Sequence, residues 1–311
     1  MKKLVARVLA GVMILSMLSG CGETETSTGS GNDNNTGSVS TETIKIATKA
    51  GTECYIMGEM LGILVEQGTG RKVEITKDIA STELIQSAME RGEFDITPEY
   101  TSTAWIFVVA REDFPTDDIM YEDLREFYQT EKNMDWTGLY GFNNTFAITV
   151  TSEIAEKYQL ETYSDLSEVS SELVFGGNTN FVANDTGLPG VSETYGMEFA
   201  KVVDLAIGLN YPAMEQNEIQ VTNAFTTDAQ LAVADVKVLE DDKGYFSNFF
   251  CGTVARNEVL EEVEGLREAL ESLNGQITDA EMASMNYAVE IDGRSEKTVA
   301  LEFLQSKGLA E

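Results

Sequence analysis

An α/β fold in two lobes with a ligand cleft between them is predicted by three features of this 311-residue chain. Apolar runs of period two alternate with amphipathic helical runs from Ile44 onward, the same alternation starts again at Phe146, and the last part of the chain turns helical after one more strand-like run. About 269 residues follow position 42, more than a single hydrophobic core usually serves.

Taken in order, Ile44 to Ala47 ("IKIA") alternates as a strand. The segment "ECYIMGEMLGILVEQG" then sets Ile56, Met57, Met60, Leu61 and Leu64 on one helical face, with Gly68 expected to close it. "KVEI" is a second strand, and Ser81 to Arg91 a second helix with Leu84, Ile85, Ala88 and Met89 inward and Gly92 as its stop. Phe94 to Ile96 reads as a third strand that ends before Pro98. This βαβαβ order belongs to a parallel sheet with helices on its faces. The theme returns with strand "FAITV" (Phe146 to Val150), short helix "SEIAEKY", strand "ELVFGG", a longer helix from Leu188 to Lys201 and strand "EIQVTNAF". A helix over "TDAQLAVAD", a strand over "VKVLEDD" and a strand over "CGTVAR" follow. Thr278 and Glu281 have capping-box spacing ahead of Met282, Met285 and Ala288, and Ser295 to Gln305 makes the final helix. The chain is expected to cross between lobes twice, giving lobe I from 43–144 and 250–311 and lobe II from 145–249. In open α/β sheets the ligand sits beyond the carboxyl ends of the strands.

The N-terminus reads as an export signal. Lys2, Lys3 and Arg7 precede the apolar run "LAGVMILSML", and small residues lead to Cys21. Residues 1–20 are therefore the expected signal peptide. Residues 21–42, almost without apolar side chains, are the expected disordered tether. Loss of Lys2, Lys3 and Arg7 takes the formal charge from -32 to -35, a field that opposes nucleic acids and phosphorylated substrates and favours cations.

Composition also excludes chemistry. With no histidine there is no Ser-His-Asp or Cys-His constellation and no HExxH zinc site. Neither GxxxxGK[ST] nor GxGxxG occurs, and Cys54 and Cys251 are too far apart in sequence for a CxxC metal motif. The two thiols fit either a disulfide or a free pair. No enzyme activity, no cofactor and no metal are expected.

One stretch, "DITPEYTSTAW", sets Tyr100 beside Glu99 where a strand ends. From here the chain resembles the substrate-binding lipoproteins of ABC importers for glycine betaine, carnitine and choline. The resemblance is carried, in order, by "GTECYIMGEMLGILVEQ", "GEFDITPEYTSTAW", "GFNNTFAITV", "YSDLS", "GLPGVSETYGMEF", "VTNAFTTDAQL", "VLEDDKGYF", "ITDAEMASMNYAVE" and "VALEFL". It implies a periplasmic-binding-protein-like (type II) clamshell. "LSGC" resembles a lipobox, which implies a lipid on Cys21 and a monomer anchored at the extracytoplasmic face of a bacterial membrane, serving an ABC permease and its ATPase.

The resemblance further implies a cage of aromatic rings for a small quaternary ammonium ligand. Trimethylammonium has no N–H to donate, so ring faces supply negative quadrupole and apolar contact together. Carried over by motif, the cage is Tyr100, Phe146, Phe225 and Phe249, with Phe250 as the alternative to the last. Three rings lack the hydroxyl usual in the family. Thr52, Cys54, Thr103, Asn144 and Asn184 are the candidates for the ligand's polar tail. Cys54 stands where the family often has Gln, and Asn184 where it usually has a basic residue, which favours choline over a carboxylated ligand. Ser102 is expected to add a side chain to the pocket wall, and Asp228 to cap its helix. The alternative is a same-fold receptor for a ligand that is not a quaternary amine.

Overall fold

In a computed structural model, residues 43–111, 113–206 and 208–311 are described. The expected signal peptide, lipid site at Cys21 and tether lie outside the described residues. Among the described residues ten strands form two sheets: β1 Thr43–Lys49, β2 Lys72–Ile79, β3 Ile96–Tyr100, β4 Met134–Asn143, β5 Phe146–Thr151, β6 Val174–Gly177, β7 Lys201–Asp204, β8 Val221–Phe225, β9 Val236–Val238 and β10 Phe250–Arg256. The first sheet has the order β2-β1-β3-β10-β4 and the second β7-β6-β8-β5-β9. β1 pairs parallel with β2 and β3, whereas β10 runs antiparallel between β3 and β4. All strands of the second sheet fall between the end of β4 and the start of β10, so the chain leaves the first sheet after Asn143 and returns to it at Phe250.

The helical face read from the sequence is the buried one. In the helix Thr52–Thr69, Ile56, Met57, Met60 and Leu61 are fully buried and Leu64 nearly so. They pack with Ile44 and Ile46 of β1 and with Leu266, Leu270, Met282, Val299 and Leu304 of the C-terminal helices, so the last part of the chain covers the first sheet. Thr278 and Glu281 form the expected reciprocal cap of the helix Asp279–Glu290. The second sheet has its own core around Ile148, Val150, Phe175, Val191 and Val221.

Several expectations give way to local structure. The first long helix runs through Gly68 and is closed by Gly70 in the left-handed region (φ 68°), a conformation that costs glycine least. Leu84 faces solvent, while Ile85, Ala88 and Met89 point inward, because the helix Thr82–Glu90 presents only a narrow apolar stripe. β3 begins at Ile96 and runs through Pro98 to Tyr100. Its ladder with β1 is limited to Ile46–Ile96, so Pro98 lies past that edge and interrupts no bond there. The helix from Leu188 stops at Tyr195 because Gly196 turns left-handed, and β7 occupies Lys201 onward. "TDAQLAVAD" forms only a 3₁₀ turn, Ala229–Ala232, and β9 stops at Val238. The helix Asp117–Glu131 and the long strand β4 were not read from the sequence. Among the described residues no helix is long and apolar enough to cross a membrane.

The neighbours Leu84 and Ile85 test the orientation of their helix. Leu84→Ala is expected to change unfolding free energy by less than about 0.5 kcal/mol, and Ile85→Ala to cost about 2–5 kcal/mol, both read by urea denaturation.

Candidate functional site

A cavity of about 510 Å³ opens where the two sheets' strand ends meet. The first sheet supplies Lys49 from the end of β1, Tyr100 from the end of β3 and Phe249 just ahead of β10. The second supplies Phe146 from the start of β5 and Phe225 from the end of β8. Thr52, Glu53 and Cys54 enter from the first turn of the long helix, and Asn286 and Glu290 from the helix Asp279–Glu290. Eight of the nine residues expected to contact the ligand therefore line one cavity: Tyr100, Phe146, Phe225, Phe249, Thr52, Cys54, Thr103 and Asn144.

The ninth does not. Asn184 is exposed, and its Oδ1 accepts from the backbone N–H and the hydroxyl of Thr186 at 3.0 Å each, turning the amide back on its own loop. Ser102 also misses the wall: it is fully buried and its hydroxyl donates to the carbonyl of Asn248. Asp228 precedes the 3₁₀ turn without capping it. Its carboxylate instead accepts from the N–H of Phe225 (3.0 Å) and the hydroxyl of Tyr211 (3.3 Å) and faces the cavity. Burial, with the charge of Glu290 adding to it, raises the Asp228 carboxyl above the usual range.

The aromatic residues do not form four separate walls. Phe146 and Phe225 are register partners across β5 and β8, and their rings stack with centroids 4.5 Å apart and planes 27° apart. They keep 37 % and 43 % exposure, high for phenylalanine, and present one continuous apolar surface. Behind them Phe181 and Phe246 contact Phe146 at 5.4 and 5.7 Å between centroids. Tyr100 faces from the first sheet, half-buried. The Lys49 ammonium lies 4.9 Å from its ring centroid and pairs with Glu99 at 2.5 Å.

Glu53, like Lys49, Asn286 and Glu290, is a lining residue that the sequence did not disclose. It is 8 % exposed, and its Oε1 accepts from the Tyr100 hydroxyl and from Asn144 Nδ2 (3.0 Å), its Oε2 from Asn286 Nδ2 (3.3 Å). The first turn of the helix Thr52–Thr69 adds its positive dipole end. Burial, then the Glu53 charge, pushes the Tyr100 phenol well above its ordinary range, so it remains a donor. Glu53 stands in the first turn of its helix, past the cap at Gly51, and a single acidic residue there is too common to stand out among 53 carboxylates.

Both thiols are free and buried. Cys54 lies 3.9 Å from the Tyr100 hydroxyl, and burial pushes its thiol up to about 11. No group of three or more metal-ligating side chains occurs among the described residues.

The sequence matches the substrate-binding domain of ABC-type glycine betaine transport systems over residues 42–306. It is 35 % identical over 88 % of its length to the ergothioneine transport permease/ergothioneine binding protein EgtU of Helicobacter pylori, of which the aligned part is about half (49 %). It is 31 % identical to the carnitine transport binding protein OpuCC of Listeria monocytogenes, covering 88 % of this chain and 90 % of that one. A crystal structure of a glycine betaine/carnitine/choline ABC transporter component superposes with TM-score 0.80 at 29 % identity, covering 86 % of this chain and 99 % of the other. The expected fold class, α/β and two-lobed in the manner of periplasmic binding proteins, is the one found.

Because the Cys54 thiol is shifted upward, less of it is thiolate at any given pH. Alkylation of Cys54 at pH 8 is expected to be about 100-fold slower than that of a free thiol, and to accelerate as pH approaches 11 or on unfolding, read by peptide mass spectrometry.

Proposed function

The chain belongs to the family of substrate-binding domains of ABC-type glycine betaine transport systems, whose members bind solutes and are not enzymes, and from this we propose that it captures a small quaternary ammonium compound in the Tyr100–Phe146–Phe225–Phe249 cavity. The observation that carries the reading is the convergence of these four rings, from both sheets, on a cavity that three carboxylates also line: Glu53, Asp228 and Glu290. Ring faces attract a methylated cation by about 0.5–2 kcal/mol each. Methyl groups pack on the stacked Phe146–Phe225 surface without needing a hydrogen-bond partner, so phenyl rings serve where hydroxyls are missing. Thr52, Cys54, Thr103 and Asn144 are the groups for the remainder of the ligand.

A cavity of about 510 Å³ also accommodates a larger member of the same class, which is the second reading. Ergothioneine, named for the Helicobacter pylori relative, is itself a trimethylammonium compound with a ring and a carboxylate. Lys49, the one cationic side chain in the lining, is already paired with Glu99, so a carboxylate of such a ligand falls to the neutral donors Thr52, Thr103 and Asn144. Residues 43–144 with 250–311 and residues 145–249 act as two lobes that close on the ligand. Delivery is to a membrane permease driven by an ATPase, from a monomer held at the extracytoplasmic surface by a lipid on Cys21.

Calorimetric titration of the protein with choline, glycine betaine, carnitine and ergothioneine tests the reading. At least one is expected to bind below millimolar concentration, and Tyr100→Ala to weaken that binding about 10-fold or more. Absence of sub-millimolar binding by all four would remove the quaternary ammonium reading and leave the fold and family intact.

A further inference from the structure

We infer that Glu53 is the charge partner of the bound cation, a specificity residue that acts through Tyr100 and makes the cavity prefer ammonium over an uncharged ligand of the same shape. This rests on the quaternary ammonium reading above and adds to it a residue outside the aromatic cage.

Lys49 lies over the Tyr100 ring, but its ammonium is bonded to Glu99 at 2.5 Å, and Glu99 also accepts from the N–H of Tyr100 and the hydroxyl of Thr82. That pair cancels to first order and leaves Glu53 as the net charge next to the ring. Among the described residues no lysine or arginine lies within ion-pair distance of Glu53; its bonds come from neutral donors, Tyr100, Asn144 and Asn286. Neutral donors and a helix start hold a carboxylate in place without neutralising it. A buried charge without a counter-ion is costly, and a cation placed over Tyr100 offsets that cost. A phenol that donates to a carboxylate is also polarised toward a more negative ring face, which strengthens its attraction for a cation. Asp228 and Glu290 also line the cavity, and neither brings positive charge that would oppose the effect.

The test compares choline, or whichever of the four ammonium compounds binds most tightly, with the isostere in which carbon replaces the ammonium nitrogen, so that the positive charge alone is removed (3,3-dimethylbutan-1-ol for choline). In the unaltered protein the cation is expected to bind about 30-fold more tightly or better. Glu53→Gln is expected to narrow that gap about 10-fold, while Glu53→Asp, which keeps the charge, retains it within about 3-fold. A purely structural role for Glu53 would weaken both ligands alike and leave the gap unchanged, and that result overturns the inference. Should Glu53→Gln fail to fold by near-ultraviolet circular dichroism, Glu53→Met takes the same measurement. A gap absent already in the unaltered protein, or no binding by any of the four ammonium compounds, overturns the functional reading itself and this inference with it.

Discussion

The antiparallel insertion of β10 between β3 and β4 is the constraint on which the site depends. Cys251 pairs with Tyr100 and Phe250 with Asn143, so the returning strand fixes both ends of the first sheet at one place. The crossover segments are bound to each other there. Asn143 Nδ2 donates to Asn248 Oδ1 (2.6 Å), Asn143 Oδ1 accepts from the N–H of Phe249 (2.7 Å), and Thr145 donates to the carbonyl of Ser247 (2.6 Å). Phe146 and Phe249 flank these bonds on opposite strands of the crossing. The positions of both aromatic groups therefore follow from one strand pairing. Close backbone approach supports it: a Cβ at Gly252 would fall 2.3 Å from the carbonyl oxygen of Gly138, so only glycine allows β4 and β10 to meet there.

Much of this was legible in the sequence, and the reasons differ by residue. Helical periodicity identified Ile56, Met57, Met60, Leu61 and Leu64 because a long helix packed on a sheet buries one face. Motif resemblance brought Tyr100, Phe146, Phe225 and Phe249 together, which no local pattern could do, since they lie up to 149 positions apart and meet only through the crossing strands. What stayed hidden was side-chain direction. Nothing in "TST" says that Ser102 turns to the Asn248 carbonyl while Thr103 faces the cavity. Likewise Asn184 spends its carbonyl oxygen on Thr186, and Asp228 spends its carboxylate on Phe225 and Tyr211 instead of a cap.

That phenylalanine stands where the resemblance implies tyrosine has a physical counterpart in the geometry. Phe146 and Phe225 stack on each other and are backed by Phe181 and Phe246, an apolar assembly in which a hydroxyl would need a partner. Tyr100 keeps its hydroxyl because it has one in Glu53. The cavity thus divides its work: one side offers apolar area, the other a ring tied to a carboxylate. Such a division suits a ligand whose charge is wrapped in methyl groups.

The most direct test of that account is a crystal structure with the tightest-binding of the ammonium compounds. The ammonium nitrogen is expected within about 6 Å of the Tyr100 ring centroid, with methyl groups on the Phe146–Phe225 surface. A ligand bound elsewhere, or one whose carboxylate or uncharged end occupies that position, would contradict it.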